Sequence, residues 1–211
     1  MTRLEAQTLI ENRLGQRTGL GTRIQGELRA AQRHFERKAF LPWFLRSTAL
    51  FASSDTWFLM PEGFLREVDD EYLLSIVTEN GQKGLTKVDY QFIATQEGMT
   101  GPGEPRFYTI ETDSNQPRPT VNLFPQPDRS FLWRMVYFKQ EPELLYDISE
   151  NNWLIYAPDL ITAKAGLDIS KALRAPEATQ LFGSDMIVAT RDLAHADAAQ
   201  RVAGFSLTMG G

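Results

Sequence analysis

The sequence predicts an α+β protein: an antiparallel helical bundle built from the two ends of the chain, with an antiparallel β-sheet or sandwich region inserted between them. Three observations point there. Apolar residues recur at every third or fourth position near both ends of the chain. Between residues 47 and 140 that period gives way to short apolar runs separated by Gly, Pro, Asn and Asp. A length of 211 residues favours one domain, or one domain with an insert, over two full domains. Residues 1–46 and 141–203 are therefore expected to share one bundle, 47–140 to form the insert, and 204–211 to be an extended tail.

Residues 3–14 place Leu4, Ala6, Leu9, Ile10 and Leu14 among charged neighbours, which suits a short amphipathic helix stopping at Gly15. Gly19-Leu20-Gly21 is the connection, and Thr22-Arg23-Ile24-Gln25 has the spacing of a capping box for the next helix. Its apolar stripe is Ile24, Leu28, Ala31, Phe35 and Ala39, with arginines on the opposite face. Leu41-Pro42 ends it, because proline disfavours helical geometry in the residue before it, and Trp43, Phe44 and Phe51 follow as an apolar cluster that reads as core.

In the middle region Trp57-Phe58-Leu59-Met60 is cut by Pro61. Residues 72–78 and 85–88 flank Asn80-Gly81, a pair suited to chain reversal, and read as a hairpin with a long loop. After the breaker cluster Gly101-Pro102-Gly103-Glu104-Pro105, residues 107–111, 121–124 and 131–138 read as strands, separated by turns at 115–119 and 125–128.

Helix signals return at Asn151. Trp153, Leu154 and Tyr156 make a short apolar turn, Pro158-Asp159 suits the first positions of a helix running to about Ala172, and Pro176 opens the last helix. There Phe182, Met186, Ala189, Leu193, Ala196 and Ala203 share a face whose alanines let a neighbour approach closely. The tail carries Phe205, Leu207 and Met209 at alternate positions; they are the candidate partner-docking residues, able to add to a sheet edge or lodge in a partner's groove.

Composition narrows the function. A net charge of −5 argues against a broad phosphate-neutralising surface. Arg23, Arg29, Arg33, Arg37, Lys38 and Arg46 do cluster, first as a solvated helix face and second as a binding stripe. With no cysteine, thiolate chemistry and cysteine-ligated zinc are excluded. The start, Met1-Thr2-Arg3-Leu4-Glu5-Ala6, lacks the apolar core of a signal peptide, and no run approaches the roughly 20 apolar residues that cross a bilayer, so no membrane partner is expected.

No chemistry stands out. His34 and His195 are the only histidines, each on an expected helix, and read as half-buried surface residues before catalysts. Gly19-Leu20-Gly21-Thr22 lacks the lysine of a phosphate loop. The run Glu67, Asp69, Asp70 and Glu71 lacks the spacing of a calcium loop and reads as a solvated β-edge. Trp57, Phe58, Phe107 and Tyr108 read as core before stacking platforms. Paired carboxylates for glycoside chemistry stay open, with no pair marked out. No catalytic, cofactor or metal residue is therefore nominated.

The order of several pieces carries a resemblance. Leu41-Pro42-Trp43-Phe44, Leu59-Met60-Pro61-Glu62-Gly63-Phe64, Pro105-Arg106-Phe107-Tyr108, Leu123-Phe124-Pro125-Gln126-Pro127-Asp128, residues 135–139, and Asn152-Trp153-Leu154 with Tyr156-Ala157-Pro158-Asp159-Leu160 occur in one register. In that order they resemble the head-to-tail adaptor (connector, neck) proteins of tailed bacteriophages, over about residues 3–203. The loop at 80–84, the stretch at 98–105 and the tail after Ala203 depart from the family pattern.

The resemblance implies a non-enzymatic virion protein assembled in the host cytoplasm, a ring, typically of twelve copies, seated beneath the portal protein. That ring extends the DNA channel and presents a platform for the tail or nozzle protein. DNA would pass through the lumen without sequence-specific binding, and acidic subunits would give a lumen that repels its backbone. The rival readings are another oligomeric tail or baseplate component and a virion-associated glycosidase.

Overall fold

The computed structural model describes residues 1–17, 19–38, 41–69, 71–95 and 101–206, with side chains as far as Gln200. In chain order come α1 (Arg3–Arg13), α2 (Gly21–Glu36), a 3₁₀ turn (Trp43–Leu45), β1 (Arg46–Ser53), β2 (Trp57–Leu59), β3 (Phe64–Glu67), β4 (Leu74–Thr78), β5 (Gly81–Gly84) and β6 (Thr86–Lys87). There follow α3 (Tyr90–Thr95), β7 (Pro102–Gly103), β8 (Phe107–Glu111), β9 (Thr120–Phe124), β10 (Gln126–Pro127), β11 (Phe131–Lys139), α4 (Asn152–Tyr156), α5 (Pro158–Ala172) and α6 (Pro176–Ser206). The fold is α+β, with helices from both ends of the chain flanking a region of largely antiparallel sheet. Two compact units result: Met1–Leu45 together with the chain from Glu141 onward, and Arg46–Gln140.

In the helical unit α1 starts on a capping box that sequence reasoning missed: Thr2 Oγ1 accepts from Glu5 N at 3.2 Å and Glu5 Oε2 accepts from Thr2 N at 2.8 Å. It ends at Leu14, beyond which Gly15 takes a φ of 79°. The box expected at Thr22–Gln25 is not formed. The first turn of α2 already closes upstream, where Ile24 N donates to Leu20 O at 2.8 Å, so Thr22 lies inside the helix. A Cβ on Gly21 would meet the far end of the flexible Gln7 side chain, Nε2 at 2.8 Å. The helix stops at Glu36, short of the expected Leu41, and Ala39 lies outside the described residues.

Asn151 caps α4 and Pro158 occupies the first turn of α5, as their residue types favour. The hairpin of α5 and α6 is antiparallel: Ser170 accepts from Thr179 Oγ1 at 3.0 Å, and farther from the connection Gly166 lies under Phe182. A Cβ at position 166 would come within 2.4 Å of that ring, so glycine sets the interhelical distance. Most of α5 is buried, on more than one face. It packs against α1, α2 and α6, whereas α2 and α6 scarcely touch each other. α5 is therefore the central helix, with α2 and α6 on different sides of it.

The last helix corrects one expectation. α6 continues to Ser206, so Gly204, Phe205 and Ser206 are helical instead of extended. The helical signal carries through because a lone glycine weakens a helix by only about 1 kcal/mol. Phe205 thus lies within that helix, and Leu207 and Met209 lie outside the described residues.

In the strand unit β11 is central: it pairs antiparallel with β1 on one side and with β4 and then β3 on the other, while β5 extends β4. A second sheet runs β2-β9-β8-β6, and β7 and β10 make a short parallel pair. Alternate residues of β11, Phe131, Trp133, Met135 and Tyr137, enter one core with Leu74 and Ile76 from β4, Tyr108 from β8, and Val121 and Leu123 from β9. Two sheets thus close on one apolar interior, and the one polar atom of Trp133, Nε1, donates to Ser53 O at 3.1 Å.

Three strand expectations change. The hairpin at Asn80-Gly81 is tight, with Thr78 opposite Gly81, and its second strand is β5 instead of residues 85–88. Thr86–Lys87 instead forms β6, parallel to β8, a non-local pairing with no local signature. Within the breaker cluster Pro102–Gly103 is paired, not free. Phe51 packs on Phe58 within the strand unit (ring centroids 5.1 Å apart), and Trp43 packs on Phe44 within the helical unit. Trp57, expected in the core, is 47% exposed on β2.

Candidate assembly interface

The helical unit buries a polar knot. Glu36 Oε1 accepts from Gln32 Nε2 at 3.0 Å, from Glu141 N at 3.1 Å and from Trp153 Nε1 at 3.2 Å. Gln32 Nε2 also donates to Glu141 O at 2.8 Å, and Gln32 Oε1 accepts from Asn151 Nδ2 at 2.9 Å. Asn151 Oδ1 in turn caps α4 through Leu154 N, and Asn152 clamps both carboxylate oxygens of Glu141. The bonds of Glu36 to Glu141 N and Trp153 Nε1, and of Gln32 to Glu141 O and Asn151 Nδ2, tie α2 to the returning chain at 141–154. Glu36 Oε2 is buried with no hydrogen bond, and burial pushes the carboxyl above its ordinary range against the pull of its three donors. At 5% exposure it reaches no substrate, so its work is to fix how the two chain ends meet.

Outward from that knot α2 turns its cations. Arg29, Arg33, His34, Arg37 and Lys38 line a trough of about 630 Å³ along the helix. Glu143 pairs with Arg33, and with Arg29 at 3.8 Å, whereas Arg37 and Lys38 make no ion pair among the described residues. Desolvation, then Lys164 and Lys38, hold His34 below its ordinary value, so it is neutral near neutral pH and the guanidinium and ammonium groups carry the charge. Near the amino-terminal part of α2, Gln25 Nε2 donates to Leu145 O at 2.9 Å, and Leu145, Tyr146 and Ile148 stand exposed.

On another side of α5, Tyr156, Ala157, Leu160, Val188, Ala189 and Leu193 floor a groove of about 530 Å³. Asp159, Asp185 and Asp192 rim it, against one guanidinium, Arg13. Arg13 pairs with Asp185 and lies over the Phe182 ring, 5.8 Å from its centroid; Asp192 has its neighbour Arg191 at 3.6 Å, and Asp159 makes no ion pair among the described residues. Beside the groove Ile187 is 70% exposed and Ile155 and Leu181 are also uncovered. The helical unit thus carries a cationic face on α2 and an acid-rimmed apolar groove between α5 and α6.

The residues singled out in the sequence mostly scatter. His34 lies on the cationic face, while His195 is exposed on α6. Of the acidic run, Glu67 accepts from Lys87, Glu71 pairs with Arg46 and with Arg134 at 3.7 Å, and Asp69 has Arg66 at 3.8 Å. These carboxylates are ion-paired instead of simply solvated, and Asp70 lies outside the described residues. No group of acids and histidines suited to a metal ion occurs among the described residues. Tyr108 is buried with its hydroxyl 3.4 Å from Glu67, and burial followed by that carboxylate pushes its pKa up. Among the described residues no helix is long and apolar enough to cross a membrane.

Sequence reasoning missed the groove and the knot. The one available signal was the row Ile24, Leu28, Gln32 and Glu36, spaced by four, which continues a buried apolar face into polar residues. No protein-family model and no curated protein matches this chain.

Proposed function

We propose that this chain is a structural assembly protein, a head-to-tail adaptor of a tailed bacteriophage that forms a ring, typically of twelve copies, beneath the portal protein. The ring would extend the DNA channel and seat the tail or nozzle protein. Six motifs in family order support the reading. Several of them coincide with residues that fix the chain's course: Gly63 turns the chain at a φ of 73° between β2 and β3, and Asn152-Trp153 belongs to the polar knot.

The observation that carries the reading is the uncovered apolar surface of the helical unit. Ile148 is 84% exposed, and Tyr146, Ile155, Ile187 and Val188 are uncovered as well. Val188 belongs to the groove floored by Tyr156, Ala157, Leu160, Ala189 and Leu193, and apolar surface gathered in this way marks contacts with other chains. Retention of the purified protein on immobilised portal protein tests the reading. Specific retention is expected; failure to bind portal, with self-assembly intact, would transfer the protein to the tail or baseplate class.

A further inference from the structure

We propose that neighbouring copies of this chain join head to tail through the helical unit, the cationic face of α2 in one copy seated on the acid-rimmed α6 groove of the next. This rests on the ring reading above and names the joint that such a ring uses. The occupant of the groove is a second copy of this chain.

Charge complementarity selects that occupant. The groove offers Asp159, Asp185 and Asp192 against Arg13 and the Arg191 beside Asp192, and the α2 face offers Arg29, Arg33, Arg37 and Lys38 against Glu143. Each face carries charge of one sign in excess, so like faces repel and unlike faces attract. A two-fold contact built on either face alone would set like on like, whereas the heterologous contact pairs unlike faces and leaves a free face of each kind for the next copy. The order α2, α5, α6 supplies the geometry: α5 packs on both α2 and α6, which scarcely touch each other, so the α2 face and the groove are distinct surfaces. Apolar surface accompanies both: Leu145 and Tyr146 stand beside α2, and Tyr156 and Val188 lie in the groove. Ion pairs at such a joint are partly shielded from water, where they count for more than at an open surface.

The test uses the full chain assembled on portal protein, with ring yield read by electron microscopy and sedimentation. One variant carries Arg37→Glu with Lys38→Glu; the other carries Asp192→Lys with Val188→Lys. All four side chains are exposed, and far-ultraviolet circular dichroism and melting check that each variant folds. Each variant alone is expected to lower ring yield at least tenfold, and the chain carrying all four changes is expected to recover most of it, since every joint then meets reversed charge with reversed charge.

Rings at wild-type yield from either two-residue variant overturn the joint while leaving the ring reading standing. Loss in both variants with no recovery in the combined chain also overturns the pairing of these two faces. Failure of the wild-type chain to assemble at all is a different result, which removes the ring reading and the joint with it.

Discussion

The two units solve the problem of a stable interior in different ways. The strand unit closes two sheets on an apolar core in which Trp133 makes a single polar contact. The helical unit instead threads Gln32, Glu36 and Asn151 through its interior, while both units leave large apolar side chains exposed, Leu50 and Tyr72 in the strand unit and Ile148 and Ile187 in the helical unit. An apolar core rewards volume and forgives exchange of similar shapes, whereas a satisfied polar network accepts one arrangement. The helical unit must hold segments from opposite ends of the chain in register, and the knot between α2 and residues 141–154 does so.

The largest effect is expected in the strand core. Trp133→Ala should cost about 3–5 kcal/mol by the general behaviour of buried aromatic truncations, read by urea unfolding. A loss under 1 kcal/mol would mean that the two sheets do not share this interior. The knot should answer differently to a change that preserves size. Gln32→Leu removes a donor to Glu36 and an acceptor for Asn151, for a loss of about 2–3 kcal/mol from groups left unpaired. A neutral result would show that the knot is dispensable and erase the contrast between the units.

Two glycines sharpen the comparison. At Gly166 an added methyl meets the fully buried Phe182 ring at 2.4 Å, and Gly166→Ala should cost about 1–3 kcal/mol. At Gly84 the methyl meets the Tyr72 ring at 2.2 Å, but Tyr72 is 63% exposed and can swing into solvent, so Gly84→Ala should cost about 0.5 kcal/mol or less. Equal losses would contradict the difference in confinement.

The smallest effect is a slope in pH. Burial raises the Glu36 carboxyl, so the folded chain keeps that proton after the unfolded chain has released it. The resulting stability is full below the ordinary carboxylate pKa and is lost as pH rises through the higher folded value. Glu36→Gln should flatten that decline while keeping the Oε1 acceptor; parallel stability curves for the variant and the parent chain would show that Glu36 ionises unhindered.

Much of this organisation is legible in the sequence where the cause is local. Pro158 and Pro176 mark the openings of α5 and α6, because proline lacks the amide that a first turn leaves unused. The stripe Ile24, Leu28 and Ala31 marks the buried face of α2. What escapes is non-local. The parallel pairing of β6 with β8 depends on distant residues, and Thr22 mimics a cap because its spacing is right while the turn closes upstream. The candidate joint is half legible: the arginines of α2 stand out as a run, but Asp159, Asp185 and Asp192 converge only once α5 and α6 fold back on each other.

Native mass measurement, of the purified chain alone and after assembly on portal protein, tests the ring most directly. A species near 23.9 kDa alone that becomes a closed assembly of about twelve such masses on portal is the expected result. A chain that stays at a single copy in both conditions would contradict it.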